Sequence, residues 1–467
     1  GRASEKRIGI LTAGGDTPAL NATIHGAVLR ASQLQVEIYG FIKGFNSLLN
    51  PRLPHVLLNP LHRPIPELDA TLGGTILGAS RDFLSADDPR LIDQIHDRVR
   101  RLGIEGLICI GGDGTLNGLQ PLIERLPVVL APKTIDNDLG LNYPGEVDEY
   151  RREPAANEPG YVYRRRESPV IFSQDQMVNY VTPGYATAVF DSASSIGKVR
   201  TTAESHRRIA VVEVMGRHSG FIALGSAYGQ PDIVLVPESP LRPDLLLERV
   251  VELYELQKNV VIVCGEGIVD EQGHELGATT PVADPAGNVM LSGAGEAVRR
   301  MLMERLGDAY FRNKRRGESA AGAIFTRKVG HTQRGGRPVL FDRFYAAQLG
   351  GKAVEILLEG QNNAVAILQW SHERGFYLDS FEGNRLRDQW GHIHARFIHP
   401  SFYDPERMRP SRTGIDYLLP IFTTAIGHDD VEYIRRTLFA AGNLMVPYHS
   451  PNTDLHKRIR YLAEGRD

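Results

Sequence analysis

Short apolar runs rich in Ile and Val recur along the chain, and they end repeatedly in glycine or a charged residue: RIGILTAGGD, IEGLICIGGDGT, LPVVLAPKTIDND, RRIAVVEVMGR, PDIVLVPE, NVVIVCGEG and AIFTRKVGH. Runs of this length without strict alternation predict strands buried on both faces, as in a parallel sheet. Between them lie helix-length segments, Asp88 to Leu102, Leu241 to Gln257, Gly295 to Leu306 and Arg343 to Glu359. Strands alternating with helices predict an α/β fold of the doubly wound kind. In such folds ligands bind just beyond the carboxyl ends of the strands. Here those ends carry Gly, Asp, Thr, Arg, Glu and His.

Two segments break the pattern. From about Gly140 to Asn179 the chain is rich in Pro, Tyr and charge, too long for an ordinary α/β loop, and it reads as an insertion. After Trp370 comes a tail containing DSFEGNRLRDQWGHIHARFIHPSFYDP and an amphipathic stretch near Asp429 to Ala441. Its aromatic content and lack of low-complexity sequence predict a folded tail.

Composition narrows the class. The 467 residues carry 53 basic and 56 acidic side chains, a formal charge of -3, as in an ordinary soluble globular protein of two or three domains. That balance argues against a broad nucleic-acid surface, and Arg164, Arg165 and Arg166 in the insertion read as a solvated or interface face. Cys109 and Cys264 both lie inside apolar runs and read as buried small hydrophobes in a reducing compartment. No apolar stretch approaches the ~20 residues a bilayer span needs, and GRASEKR runs directly into the first strand pattern. The expectation is a cytoplasmic protein.

The candidate chemistry sits at the strand ends. Gly14, Gly15 and Asp16 form a first glycine turn, and Gly111 to Thr115 a second that adds the carboxylate of Asp113. Such turns let the backbone approach a phosphate, and a carboxylate beside them allows Mg2+ and a polyphosphate to be held together. GGTILGASR closes on Arg81, whose planar fork suits phosphate oxygens. In Lys133-Thr134-Ile135-Asp136-Asn137-Asp138, residues two apart share a side of an extended chain, so Thr134, Asp136 and Asp138 can face one ligand. One carboxylate there is suited to take a sugar hydroxyl's proton as it attacks phosphorus. Met215-Gly216-Arg217 ends another strand, and Arg217 is suited to offset charge on a transferring phosphoryl group. Arg208 starts that same strand, about 25 Å away if extended at ~3.4 Å per residue, so any ligand it binds belongs to a neighbouring subunit. In HTQRGG, His331 and Arg334 stand three apart beside flexible glycines, a clamp for a phosphorylated acceptor. No Walker P-loop is present, and Asn117 stands where the last glycine of a dinucleotide fingerprint would fall.

Taken together, GGDTPALN, GGTILGASR, GGDGT, PKTIDND, RRIAVVEVMGR, GEG and HTQRGG, in this order from Arg7 to Trp370, resemble the phosphofructokinase family. The resemblance implies two similar doubly wound α/β domains with mainly parallel sheets, plus the insertion and a C-terminal extension. It implies a phosphate-donor domain of 1–188 with 332–383, an acceptor domain of 189–331, and an extension of 384–467. The implied reaction is Mg2+-dependent phosphoryl transfer to the 1-hydroxyl of fructose 6-phosphate, a step of glycolysis. By position, Asp136 matches the family's base and Asp113 its magnesium carboxylate, while Gly15, Arg81, Gly112, Gly114 and Thr115 match the donor site. Thr134, Asp138, Met215, Gly216, Arg217, Glu266, His331 and Arg334 match the sugar-phosphate side, and Arg208 matches an arginine lent across a homo-oligomer interface. Gly114 resembles the ATP-using members, whereas Lys133 resembles those that use pyrophosphate; ATP is the favoured donor and pyrophosphate the alternative. A catalytically silent regulatory or scaffold subunit is the remaining reading, against which the intact Asp113, Asp136 and Arg217 argue. Where a second interface arginine is usual the chain has Phe325, and Arg327, two residues on, lies on the same face and is a substitute. His25 and Leu29 stand where short bacterial members carry effector-binding arginines.

Overall fold

The apolar runs fold as strands because they bury both faces. Leu107–Gly111, Val128–Pro132, Ile209–Val214 and Val260–Gly265 are buried at every position. The computed structural model describes residues 5–50, 52–80, 88–166, 170–278, 281–283, 289–291, 293–312 and 318–464.

In chain order the strands are β1 (Arg7–Ala13), β2 (Glu37–Phe41), β3 (His55–Leu57), β4 (Ala79–Ser80), β5 (Leu107–Gly111), β6 (Val128–Pro132), β7 (Tyr150–Pro154) and β8 (Tyr161–Arg165). They continue as β9 (Ile209–Val214), β10 (Ile233–Leu235), β11 (Val260–Gly265), β12 (Pro281–Ala283), β13 (Val289–Leu291), β14 (Ile324–Lys328), β15 (Ala364–Ser371) and β16 (Gly375–Glu382). One sheet runs β16-β15-β6-β5-β1-β2-β3 with β4 beside β1; a second runs β10-β11-β9-β14. Within these two sheets pairing is parallel except at β2–β3 and β15–β16, which agrees with the doubly wound α/β reading.

Helices cover the sheets. Helix Leu20–Gln33 crosses helix Leu340–Leu358 so closely that a Cβ on Gly26 would sit 1.8 Å from the Ala347 carbonyl oxygen. Only a residue without a side chain permits that approach. The 22-residue helix Tyr185–His206 leads from the first sheet to the second. It is tied to helix Leu340–Leu358 by Asp342, whose Oδ2 accepts from the Thr187 N–H at 2.7 Å and its hydroxyl at 2.6 Å.

The insertion and the tail pack on each other. Strands β7 and β8 form an antiparallel hairpin, with Tyr150 opposite Arg165. Tyr150 stacks on His394 at 3.6 Å between ring centroids, and Tyr163 on His392 at 4.5 Å. His394 is oriented by Asp388, 2.6 Å away. The tail is then tied to helix Asp113–Gly118: Asn117 Nδ2 donates to the Ile393 carbonyl at 3.0 Å, and its Oδ1 accepts the Ile393 N–H at 2.9 Å.

Candidate active site

Three adjacent parallel strands of the first sheet deliver three of the motifs at one level. Thr12 of β1 pairs with Ile110 of β5, and Gly111 of β5 with Pro132 of β6. Gly14 to Asp16, Gly112 to Thr115 and Lys133 to Asp138 therefore emerge side by side. In the second sheet, Gly265 of β11 pairs with Val214 of β9, and Lys328 of β14 with Glu213. Glu266, Met215 to Arg217 and His331 to Arg334 follow those ends.

Gly14 turns with φ +83°, and a Cβ there would meet the Lys133 ammonium at 2.9 Å. The turn thus requires glycine on both backbone and steric grounds. Lys133 is buried, and its ammonium donates to the Gly15 carbonyl, pinning β6 to the first turn. Asp113 opens helix Asp113–Gly118, with Gly114 and the buried Thr115 in its first turn.

The Thr134–Asp138 segment is a wound turn. Ile135 is buried, and Asn137 takes the left-handed conformation at φ +57°. The Asp136 N–H donates to Thr134 Oγ1 at 3.0 Å, and the Thr134 hydroxyl bonds the Asp138 carboxylate. Burial, and then the charge of Asp138, push the Asp136 carboxyl up to about 7. Burial, with Asp113 nearby, lifts Asp138 to about 6. Asp113 is raised too, by burial and by Asp136. Lys133 and Arg334 oppose the rise at Asp136. Asp136 Oδ1 is buried and has no hydrogen-bond partner among the described residues, a group that costs free energy until something binds it.

On the facing side, Glu266 Oε1 accepts the Gly216 N–H at 3.3 Å. Gln333, fully buried, accepts the Met215 N–H at 3.0 Å and donates to the Ala188 carbonyl at 2.9 Å. It locks the HTQRGG segment against the MGR turn. Arg334 crosses to the first sheet: its Nη1 lies 3.1 Å from where a Cβ on Gly15 would be, and it is a favourable charge for both Asp16 and Asp136. His331 is exposed.

Not every candidate converges. Arg217 turns outward, 66% exposed, and forks onto Glu275. Arg208 sits before β9, at the opposite end from Met215, with its guanidinium carbon 5.8 Å from the Phe325 ring centroid. Arg327 approaches the same ring to 4.9 Å. Both arginines flank Phe325. Arg81 lies outside the described residues.

The tail supplies partners that pattern reading does not reveal. Arg396, fully buried, donates to the carbonyls of Asn137, Val178, Asn179 and Tyr180. Tyr417 accepts from Asn137 Nδ2 at 2.5 Å. In sequence, neither residue differs from a surface arginine or a core tyrosine, and they lie 259 and 280 positions from Asn137.

The sequence model of the family Phosphofructokinase matches residues 7–142 and 169–357. The chain belongs to the phosphofructokinase family. That membership makes it a phosphotransferase. The chain is similar to ATP-dependent 6-phosphofructokinase 2 of Streptomyces coelicolor, 35% identical over 382 residues, 78% of this chain and 91% of that protein. It is also similar to pyrophosphate–fructose 6-phosphate 1-phosphotransferase of Amycolatopsis methanolica, 34% identical over 366 residues, 78% of this chain and 90% of that protein. Among solved structures it resembles a pyrophosphate-dependent phosphofructokinase from Marinobacter aquaeolei, with TM-score 0.66 and 18% identity over 90% of this chain and 92% of that one. This last likeness concerns the fold. The match to the phosphofructokinase family skips 143–168, which holds hairpin β7–β8, and ends before β15.

Proposed function

We propose that the chain is a 6-phosphofructokinase that transfers the terminal phosphoryl group of ATP to the 1-hydroxyl of fructose 6-phosphate, with Mg2+ as cofactor. The observation that carries this reading is the meeting of a raised carboxylate, Asp136, one of whose oxygens has no partner among the described residues, with Lys133 and Arg334 where the two sets of strand ends face each other. Asp136 accepts the hydroxyl proton, and its elevated pKa brings it near the operating pH, where a general base works best. Lys133 and Arg334 hold negative charge beside the glycine turns. Arg217 leaves Glu275 to reach the transferring group.

The residues present fit a magnesium ion. Mg2+ binds through one or two carboxylates plus substrate phosphates, and the mutual repulsion of Asp113, Asp136 and Asp138 favours a cation among them. Asp113 would hold it; when bound, the ion neutralises the phosphates of the donor.

Gly114, with no side chain beside the second turn, supports ATP. Lys133 supports the second reading, pyrophosphate, and the two relatives above carry one name each. The test is formation of fructose 1,6-bisphosphate from fructose 6-phosphate and Mg2+, run in parallel with ATP and with pyrophosphate. Product with ATP alone upholds the proposal. Product with pyrophosphate alone transfers it to the second reading, and product with neither rejects both.

A further inference from the structure

We propose that Arg396, in the C-terminal tail, is a positioning residue for phosphoryl transfer that fixes the base-bearing turn against the acceptor-binding side. It lies outside the residues matched to the family, and the inference rests on the reading of Asp136 as base.

The guanidinium divides its donors between the Asn137 turn and the Val178–Tyr180 backbone. Nε and Nη2 donate to the Asn137 carbonyl at 3.2 and 2.9 Å, and Nη2 also reaches Asn137 Oδ1 at 3.2 Å. Nη1 donates to the Asn179 carbonyl at 2.6 Å and to that of Val178 at 3.3 Å. Asn137 is the residue in left-handed conformation between Asp136 and Asp138, so holding its carbonyl holds the turn on which both carboxylates stand. No carboxylate pairs with Arg396 among the described residues at ion-pair distance; its charge is satisfied by carbonyl dipoles and by the face of Phe221, 5.3 Å away. Burying an arginine is costly unless its donors are used, and here Nε and Nη2 are used on the turn and Nη1 on the Val178–Asn179 backbone beside it.

The backbone of Arg396 extends the link in both directions. Its N–H donates to the Asp138 carbonyl at 2.6 Å, and its own carbonyl accepts the Ser219 hydroxyl at 2.6 Å. Ser219 follows Arg217 by two residues on the acceptor side. One residue of the tail therefore bridges the base turn of the first sheet to the MGR turn of the second. Tyr417 completes the brace: its hydroxyl accepts from Asn137 Nδ2 and donates to the Tyr180 carbonyl at 2.8 Å.

A base held by such a brace loses rate when misplaced by about 1 Å, on the order of 10²-fold, without losing substrate affinity. The experiment measures kcat and both KM values with fructose 6-phosphate, Mg2+ and the working donor for Arg396→Lys, Tyr417→Phe, Asp136→Ser and the double variant Arg396→Lys with Asp136→Ser. Arg396→Lys keeps the charge and loses the fork; the expected result is kcat down roughly 10- to 100-fold, with both KM values within about threefold. Added to Asp136→Ser, it costs nothing further, because it acts through that carboxylate. Tyr417→Phe keeps the ring and loses the bond to Asn137, and it shows the same signature at smaller size, serving where Arg396→Lys does not fold. Normal kcat in a folded Arg396→Lys or, failing that, in Tyr417→Phe overturns the proposal. So does a full independent loss in the Asp136→Ser background. Normal turnover in Asp136→Ser itself would instead overturn the base assignment.

Discussion

Arg217 forks onto Glu275, Nε to Oε1 at 3.2 Å and Nη2 to Oε2 at 3.3 Å. The pair is solvent-facing, with side chains 66% and 27% exposed, so its contribution to stability is small, about 0–1 kcal/mol. A bidentate arginine held this weakly is available to a ligand that offers more charge. Arg217→Ala is expected to lower kcat by roughly 10²-fold, the typical effect of losing one transition-state charge partner, with an unchanged thermal midpoint. Glu275→Gln is expected to leave the midpoint unchanged and to keep turnover at or above that of the parent. Steady-state kinetics of the two variants decide the matter, and normal kcat in Arg217→Ala would remove it from the reaction.

Asp136 has a buried oxygen with no partner among the described residues and a carboxyl pushed up to about 7, by burial first and Asp138 second. Replacing it by serine removes both the base and a repulsive charge. Turnover is expected to fall by about 10²–10⁴-fold, the usual cost of a lost general base. Thermal stability, in contrast, should hold or rise, because a desolvated carboxylate beside Asp138 and Asp113 opposes folding. A loss of activity accompanied by a large fall in midpoint would identify Asp136 as structural instead.

The strands and the turns at their ends were legible because apolar runs closed by glycine and acid are local features of sequence. The structure sets Gly14 to Asp16, Gly112 to Thr115 and Lys133 to Asp138 side by side through β1, β5 and β6, as a parallel sheet demands. The reach of individual side chains was not legible. Arg334, grouped with the sugar-phosphate side on sequence grounds, extends to Gly15, and Arg217 turns to Glu275. Long flexible side chains choose partners by tertiary proximity, which spacing does not encode. The same holds for Gln333, 118 positions from Met215, and for Arg396, 259 from Asn137. Both look like polar surface residues until the fold buries them. The insertion and tail were recognised as departures from the α/β rhythm, but their mutual stacking through Tyr150, Tyr163, His392 and His394 depends on two distant segments meeting.

Glu238 faces a cleft of about 380 Å³ that is also lined by Arg165, His218, His399 and Tyr403. Its carboxylate accepts the N–H groups of Gly220 at 3.0 Å and Ile398 at 2.7 Å, yet burial outweighs them and raises the carboxyl to about 7. The folded state therefore holds this proton to higher pH than the unfolded chain. Its contribution to stability is fully present below the unfolded value of 4.5 and is lost as pH rises through about 7. Glu238→Gln does not titrate, so the variant is expected to gain on the parent in thermal midpoint between pH 4.5 and pH 8. A midpoint difference that stays constant across that range would show that Glu238 ionises normally.

Arg208 cannot serve the Asp136 centre of its own protomer, since β9 separates it from Met215 and its guanidinium lies against Phe325. Its Nε is buried with no partner among the described residues, and with Arg327 it concentrates positive charge beside Phe325. If that charge completes the acceptor site of a second copy, Arg208→Ala raises KM for fructose 6-phosphate several-fold while assembly is kept, a rough expectation for one charged contact to a phosphate. The decisive version uses mixed oligomers. Arg208→Ala and Asp136→Ser subunits, each impaired alone, are refolded together. A site formed by Asp136 of the first and Arg208 of the second is intact, so activity at low substrate should exceed that of either parent preparation. Activity no greater than the average of the two would confine each site to one chain and leave Arg208 as a surface charge.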